Sequence, residues 1–154
     1  MDRQSSQNTP LNIYHGVPSG WSKAEIVSLH ELLGGFFEVD SGEASEPGAP
    51  SWMPDRYNWL QYRISLYEIG NGIKKGEKAC IEIAIRYIEM DYFGSYSGFT
   101  KERLARLLKP QELSKQQIAR LKMHFEHLIK NKRFLQEFRE YKKLAHRIQL
   151  NENA

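Results

Sequence analysis

The sequence predicts an all-α fold, a single-domain bundle or short stack of five to six antiparallel helices. Apolar residues recur at spacings of three and four in most segments longer than ten residues, two Ser-x-x-Glu/Gln capping boxes mark helix starts, and Gly- and Pro-rich breaks separate the segments. A chain of 154 residues with 40% hydrophobic and 12% aromatic content supports one real core, because roughly two thirds of the unfolded surface is buried on folding at this size.

Residues 1–18, rich in Ser, Gln, Asn and Pro with scattered Leu11, Ile13, Tyr14 and Val17, read as a flexible N-terminal arm. The helical domain is expected over 19–150. Ser22 and Glu25 form a capping box that opens a first helix over about 23–33, with Ile26, Leu29, His30 and Leu33 on one face and Gly34-Gly35 as its C-terminal cap. His30, beside Ile26 and Leu33, is expected to be half-buried and hydrogen-bonded. Residues 40–56 hold three prolines, two glycines and an acidic bias, the composition of a long loop, which Trp52 and Met53 would pin to the body.

Residues 57–88 admit two structures. Leu60, Tyr62, Ile64 and Leu66 alternate with polar residues as a strand would, as do Ile81, Ile83, Ile85 and Tyr87, and Asn71-Gly72 between them suits a β-hairpin. Helices are the better reading, since both segments exceed ten residues. On a helix, Lys78, Glu82, Arg86 and Glu89 also gather into one polar strip with Lys78–Glu82 and Glu82–Arg86 pairs. The second of these helices would be the central, most buried one.

Residues 91–99 form an aromatic and glycine loop, Thr100 caps a short helix that Pro110 ends, and Ser114 with Gln117 opens a long helix to about Lys130. The buried stripe of that helix is Ile118, Leu121, Phe125, Leu128 and Ile129. A last helix runs over about 134–148 with Phe134, Phe138, Tyr141, Ala145 and Ile148 inward, and the final NENA is expected to fray.

Charge is divided along the chain. Residues 1–100 carry 8 Lys and Arg against 13 Asp and Glu, and residues 101–154 carry 14 against 6, so the two parts stand at −5 and +8. On the final helix Arg139, Lys142, Lys143, His146 and Arg147 lie opposite the apolar stripe, and the preceding turn adds Lys130, Lys132 and Arg133. Together these would form one continuous cationic ridge, the expected partner-binding feature of the basic helical half over 100–148. It would steer an acidic protein partner or, alternatively, neutralise the phosphates of a nucleic acid.

Other motifs point to chemistry more weakly. The break at Lys109-Pro110-Gln111 lends 100–120 a helix-turn-helix flavour, with Lys115, Gln116 and Arg120 as groove contacts, but it lacks glycine and its second helix starts late. His124 and His127 have a spacing that can share a metal, yet HFEH is not a zincin pattern and a surface pair on the polar side is expected. Cys80, the single cysteine, sits among apolar neighbours where a thiol stays protonated. Glu82, Glu89 and Asp91 read as structural ion-pair partners. Tyr92, Phe93, Tyr96 and Phe99 read as plugs for the core rather than a base-stacking platform, and GNGIKKG matches no phosphate-binding spacing.

The expectation is therefore a non-enzymatic binding protein, with no cofactor, metal or catalytic residue assigned. Lys130, Lys132, Arg133, Arg139, Lys142, Lys143 and Arg147 are its docking residues. With one cysteine, no signal-peptide pattern and no membrane-length apolar run, a reducing cytoplasm is the expected location.

Overall fold

The computed structural model describes residues 21, 23–36, 56–91, 97–133 and 137–153. Among them are six helices and no strand: α1 (Lys23–Leu32), α2 (Arg56–Lys74), α3 (Lys78–Met90), α4 (Ser97–Leu108), α5 (Lys115–Lys130) and α6 (Phe138–Asn153). The fold is the all-α bundle that the periodicity implies. The N-terminal arm, the acidic loop up to residue 55, the side chain of Ser22, and residues Trp52, Met53, Tyr92, Phe93, Tyr96 and Phe134 lie outside the described residues.

The helical reading of 57–88 holds. Leu66, Ile69 and Ile73 are buried at three- and four-residue spacing while Ile64 is exposed, so the apparent alternation does not define one face. Asn71-Gly72 lies within the last turns of α2 rather than in a hairpin. Glycine is needed there for close approach: a Cβ at Gly72 would collide with the Cys80 Sγ, and one at Gly70 with the Arg103 guanidinium. That guanidinium bonds to the Tyr67 carbonyl and the Asn71 amide oxygen, both at 3.2 Å, and stacks 4.1 Å above the Tyr67 ring.

As expected, α3 is the hub. It packs against α1, α2, α4 and α5, and Ala79, Cys80, Ile81, Ile83, Ala84, Ile85, Tyr87 and Ile88 are all buried. Its polar side is the strip of Lys78, Glu82, Arg86 and Glu89, of which Lys78 and Arg86 are exposed. Glu82 pairs with Arg86 at 2.8 Å, and no Lys78–Glu82 ion pair forms among the described residues. Instead Glu82 turns toward α5, whose Gln117 amide donates to it at 3.0 Å.

Helix ends differ in places from the sequence expectation. Gly34 takes the left-handed conformation (φ 86°) and Gly35 N–H donates to the His30 carbonyl, so the Gly-Gly cap of α1 forms. The Ser114 box also forms, with the Gln117 N–H donating to Ser114 Oγ at 3.1 Å and the Ser114 N–H to Gln117 Oε1 at 3.0 Å. By contrast α4 starts at Ser97, before Thr100, and α6 continues to Asn153, past 148. Polar residues carry no breaking signal by themselves, and no Gly or Pro stops α6. Ile129, assigned to the buried stripe, is exposed, whereas Leu128 beside it is buried.

α6 packs on α4 and α5, with Tyr141 stacked on Phe125 at a centroid distance of 4.9 Å. Trp21 meets Tyr87 edge-on at 5.5 Å. No described helix is long and apolar enough to cross a membrane.

Candidate functional site

The outer arc of α6 follows from its sequence. Tyr141, Leu144 and Ile148 are buried, and the residues between them, Arg139, Lys142, Lys143, His146 and Arg147, are all exposed on the opposite side. Only one acid interrupts this stretch, Glu140, and it points inward. Lys130, Lys132 and Arg133, exposed at the end of α5 and in the turn that follows, lie near the start of α6.

The cations of residues 101–154 nevertheless divide into two groups. Lys101 is fully buried, with its Nζ 2.9 Å from Glu137 Oε2 and 3.4 Å from Asp91 Oδ1. Arg120 clamps α5 to α3, 2.6 Å from Glu89 and 2.9 Å from Glu82. Arg133, assigned to the ridge, reaches Asp91 at 3.2 Å. Asp91, Glu89 and Glu82 come from the first hundred residues, whereas Glu137 belongs to the basic part itself, so part of the +8 is neutralised across the fold. Lys130, Lys132, Lys142 and Arg147 form no ion pair with another described residue. Arg139, 76% exposed, only grazes Glu102 at 3.9 Å.

Glu140 organises a part of the face that the sequence reading missed. Its carboxylate lies 3.2 Å from Lys109, 3.7 Å from Arg106 and 3.5 Å from Lys143. Burial pushes its pKa up, but the hydrogen bond and charge of Lys109, with Lys143 and Arg106, outweigh that and hold it below the ordinary carboxylate value. One buried anion thus fixes three cations from two helices and leaves the cluster positive. Arg106 of α4 and Lys109, just beyond its end, therefore extend the ridge sideways. The available signal was Glu140 itself, an acid at an inward position of an otherwise basic helix.

The other candidates are separated by the fold. α4 and α5 do not pack on each other, so the helix-turn-helix reading fails, and Arg120 faces Glu82 and Glu89 rather than a groove. His124 and His127 do not form a pair. His124 is half-buried, edge-on to Tyr141 at 6.2 Å, and burial lowers its pKa; His127 is exposed beside the Asn131 amide. The expectation that both lie on the polar side is corrected for His124. Phe99 is exposed at the start of α4 and does not plug the core.

His30 is fully rather than half-buried and bonds through Nε2 to Glu77 Oε1, a pairing across 47 positions that no local pattern revealed. Burial, and then Glu77, push the Cys80 thiol up to about 12, which keeps the free thiol protonated at neutral pH. Compared with protein-family models, curated proteins and solved structures, the chain matches none, so its function has to be argued from this geometry.

Proposed function

We propose that this is a non-enzymatic binding protein whose α4–α6 face docks an acidic protein partner. The observation that carries the reading is the outer arc of α6, where Arg139, Lys142, Lys143, His146 and Arg147 are all exposed. Arg106, Lys109 and Lys143, held by Glu140 beside that arc, lose less side-chain freedom on binding than free lysines would, which favours specific docking. Such a field raises the rate of encounter with an anionic surface.

An acidic protein suits this surface better than a nucleic acid for one reason. Ile129, 54% exposed, precedes Lys130, and Met123, 71% exposed, lies two turns before it. Apolar side chains beside cations are the composition of a protein interface, whereas nucleic-acid surfaces are more uniformly polar and positive. The lone cysteine, a free thiol, is in keeping with action in a reducing cytoplasm.

The test is capture from lysate with and without nuclease, using wild type and the Lys142→Glu/Arg147→Glu variant. Both positions lack an ion pair with a described residue, so reversal there perturbs binding rather than folding. One stoichiometric protein, retained after nuclease treatment and lost on reversal, is expected. Retention that disappears with nuclease, or salt-steep binding of a mixed-sequence oligonucleotide, would transfer the face to nucleic acid. Capture that is indifferent to reversal would remove the ridge from the function.

A further inference from the structure

We infer that His30, Glu77 and Cys80 form a binding site for a borderline-soft divalent cation of the zinc class, held by His30 Nε2, a Glu77 carboxylate oxygen and Cys80 Sγ. The three residues come from α1, from the turn between α2 and α3, and from the first turn of α3, and their donor atoms all lie within 4.8 Å of one another. This is the one such grouping of three among the described residues. Zinc bonds of about 2.0–2.2 Å to nitrogen and oxygen and about 2.3 Å to sulfur set neighbouring ligand atoms roughly 3–4 Å apart. The trio lies close to that spacing, with no donor atom more than 4.8 Å from another.

The backbone around the cluster has been cleared on two sides. A Cβ at Gly35 would collide with His30 Nε2 and Glu77 Oε1, and a Cβ at Gly72 would collide with Cys80 Sγ and come within 3.7 Å of Glu77 Oε2. Two independent chain segments are thus stripped of side chains where they face the donors. Neither glycine is needed there for a left-handed turn; that role falls to Gly34 and Gly76, with φ of 86° and 77°.

Charge also favours a dication. A thiolate, a carboxylate and a neutral imidazole sum to −2, so the loaded site is neutral, which a buried location requires. The thiol proton leaves to solvent as the metal–sulfur bond forms. Sulfur with imidazole selects zinc-class ions over magnesium or calcium, which take oxygen ligands. His30 and Cys80 are closed off from solvent, while Glu77 is 27% exposed and marks the side from which the ion and a water as fourth ligand would enter. The consequence is a clip between α1 and the α2–α3 turn.

Cobalt(II) reports such a site without any knowledge of activity. The reduced, chelator-treated full chain is titrated with Co2+ alone. A thiolate-to-cobalt charge-transfer band in the near ultraviolet should grow, saturate at one ion per chain and be bleached by Zn2+. Cys80→Ser should abolish the band, and Glu77→Gln should keep it but weaken binding by about tenfold or more, the scale on which even outer-shell changes act. Circular dichroism checks that each variant is folded. Absence of the band in wild type overturns the site, as does its persistence in folded Cys80→Ser. Zn2+ should also raise the melting temperature of wild type and leave that of Cys80→Ser unmoved; equal shifts in both would mean that the ion binds elsewhere.

Discussion

Lys101 and Lys142 belong to the same basic stretch of sequence, yet they sit in opposite environments. Lys101 is enclosed by Glu137 and Asp91 with no exposure, whereas Lys142 stands in solvent on α6. Arg120 and Arg147 repeat the contrast: the first clamps α3 to α5, and the second is exposed at the far end of the ridge. Counting charge along the chain treats these residues as equal. Burial separates them, because a charge removed from water must be matched by its neighbours, while one left in water contributes little to stability and remains available to a partner.

The largest effect should come from breaking the inner group. Lys101→Ala leaves Glu137, almost fully buried, without its cation and Asp91 with Arg133 alone, and a cost of about 3–5 kcal/mol is expected from the loss of one partner in a buried pair. Urea unfolding at unchanged m-value measures it. A loss under about 1 kcal/mol would mean that water reaches this cluster and that inner and outer charges do not differ in kind.

Next in size is Gly72→Ala. Helix propensity alone favours alanine at a helical glycine by about 1 kcal/mol. The clash with Cys80 Sγ opposes it, and overpacking of this type costs about 1–3 kcal/mol. Net destabilisation in the same urea measurement shows that close approach, not helix propensity, selects glycine. A stabilised variant would show that the α2–α3 contact yields easily.

That position also shows where sequence reasoning stops. Periodicity exposed the helices because burial acts every three or four residues, and the Ser114 box was legible because its two partners are three residues apart. Gly70-Asn71-Gly72 carries a local turn signal, but the competing cause is tertiary: Arg103 and Cys80 press on the helix there. The outer arc of α6 was likewise legible from one helix's own pattern. The engagement of Arg133 by Asp91 was not, nor was the gathering of Arg106, Lys109 and Lys143 on Glu140, since these contacts join different helices. His30 with Glu77 is the extreme case, 47 residues apart.

Glu140 lies between the two groups, buried itself but holding ridge cations. Its folded pKa is below the ordinary 4.5, and so is that of Glu82, where hydrogen bonds from Arg86, Gln117 and Arg120 overcome burial. Unfolded carboxylates take up protons first as pH falls, so stability from these groups is present above about 4.5 and is lost as pH drops through their folded values. His124, whose pKa burial lowers, adds an earlier loss that begins as pH falls below the ordinary 6.5, so the urea midpoint should decline gently from there and more steeply below about 4.5. Glu140→Gln should cost about 1.5 kcal/mol at neutral pH, the low end of the range for hydrogen bonds to a charged group, and reduce the acid slope. An unchanged slope would assign the acid sensitivity to other groups.

The smallest stability effect is the one that matters most for function. Lys142→Glu/Arg147→Glu moves the formal net charge from +3 to −1, a large electrostatic change with no described ion pair broken. Surface substitutions of this kind shift stability by less than about 0.5 kcal/mol. Reversal at Lys143 is a poorer probe, because a new carboxylate would face Glu140 across the present 3.5 Å contact and mix repulsion within the fold with loss of binding. The informative result is a dissociation of the two readouts, with partner capture lost while the urea midpoint stays in place. If the double reversal instead destabilises the protein as Lys101→Ala does, the outer cations are holding the bundle together, and the ridge is structural rather than a docking face.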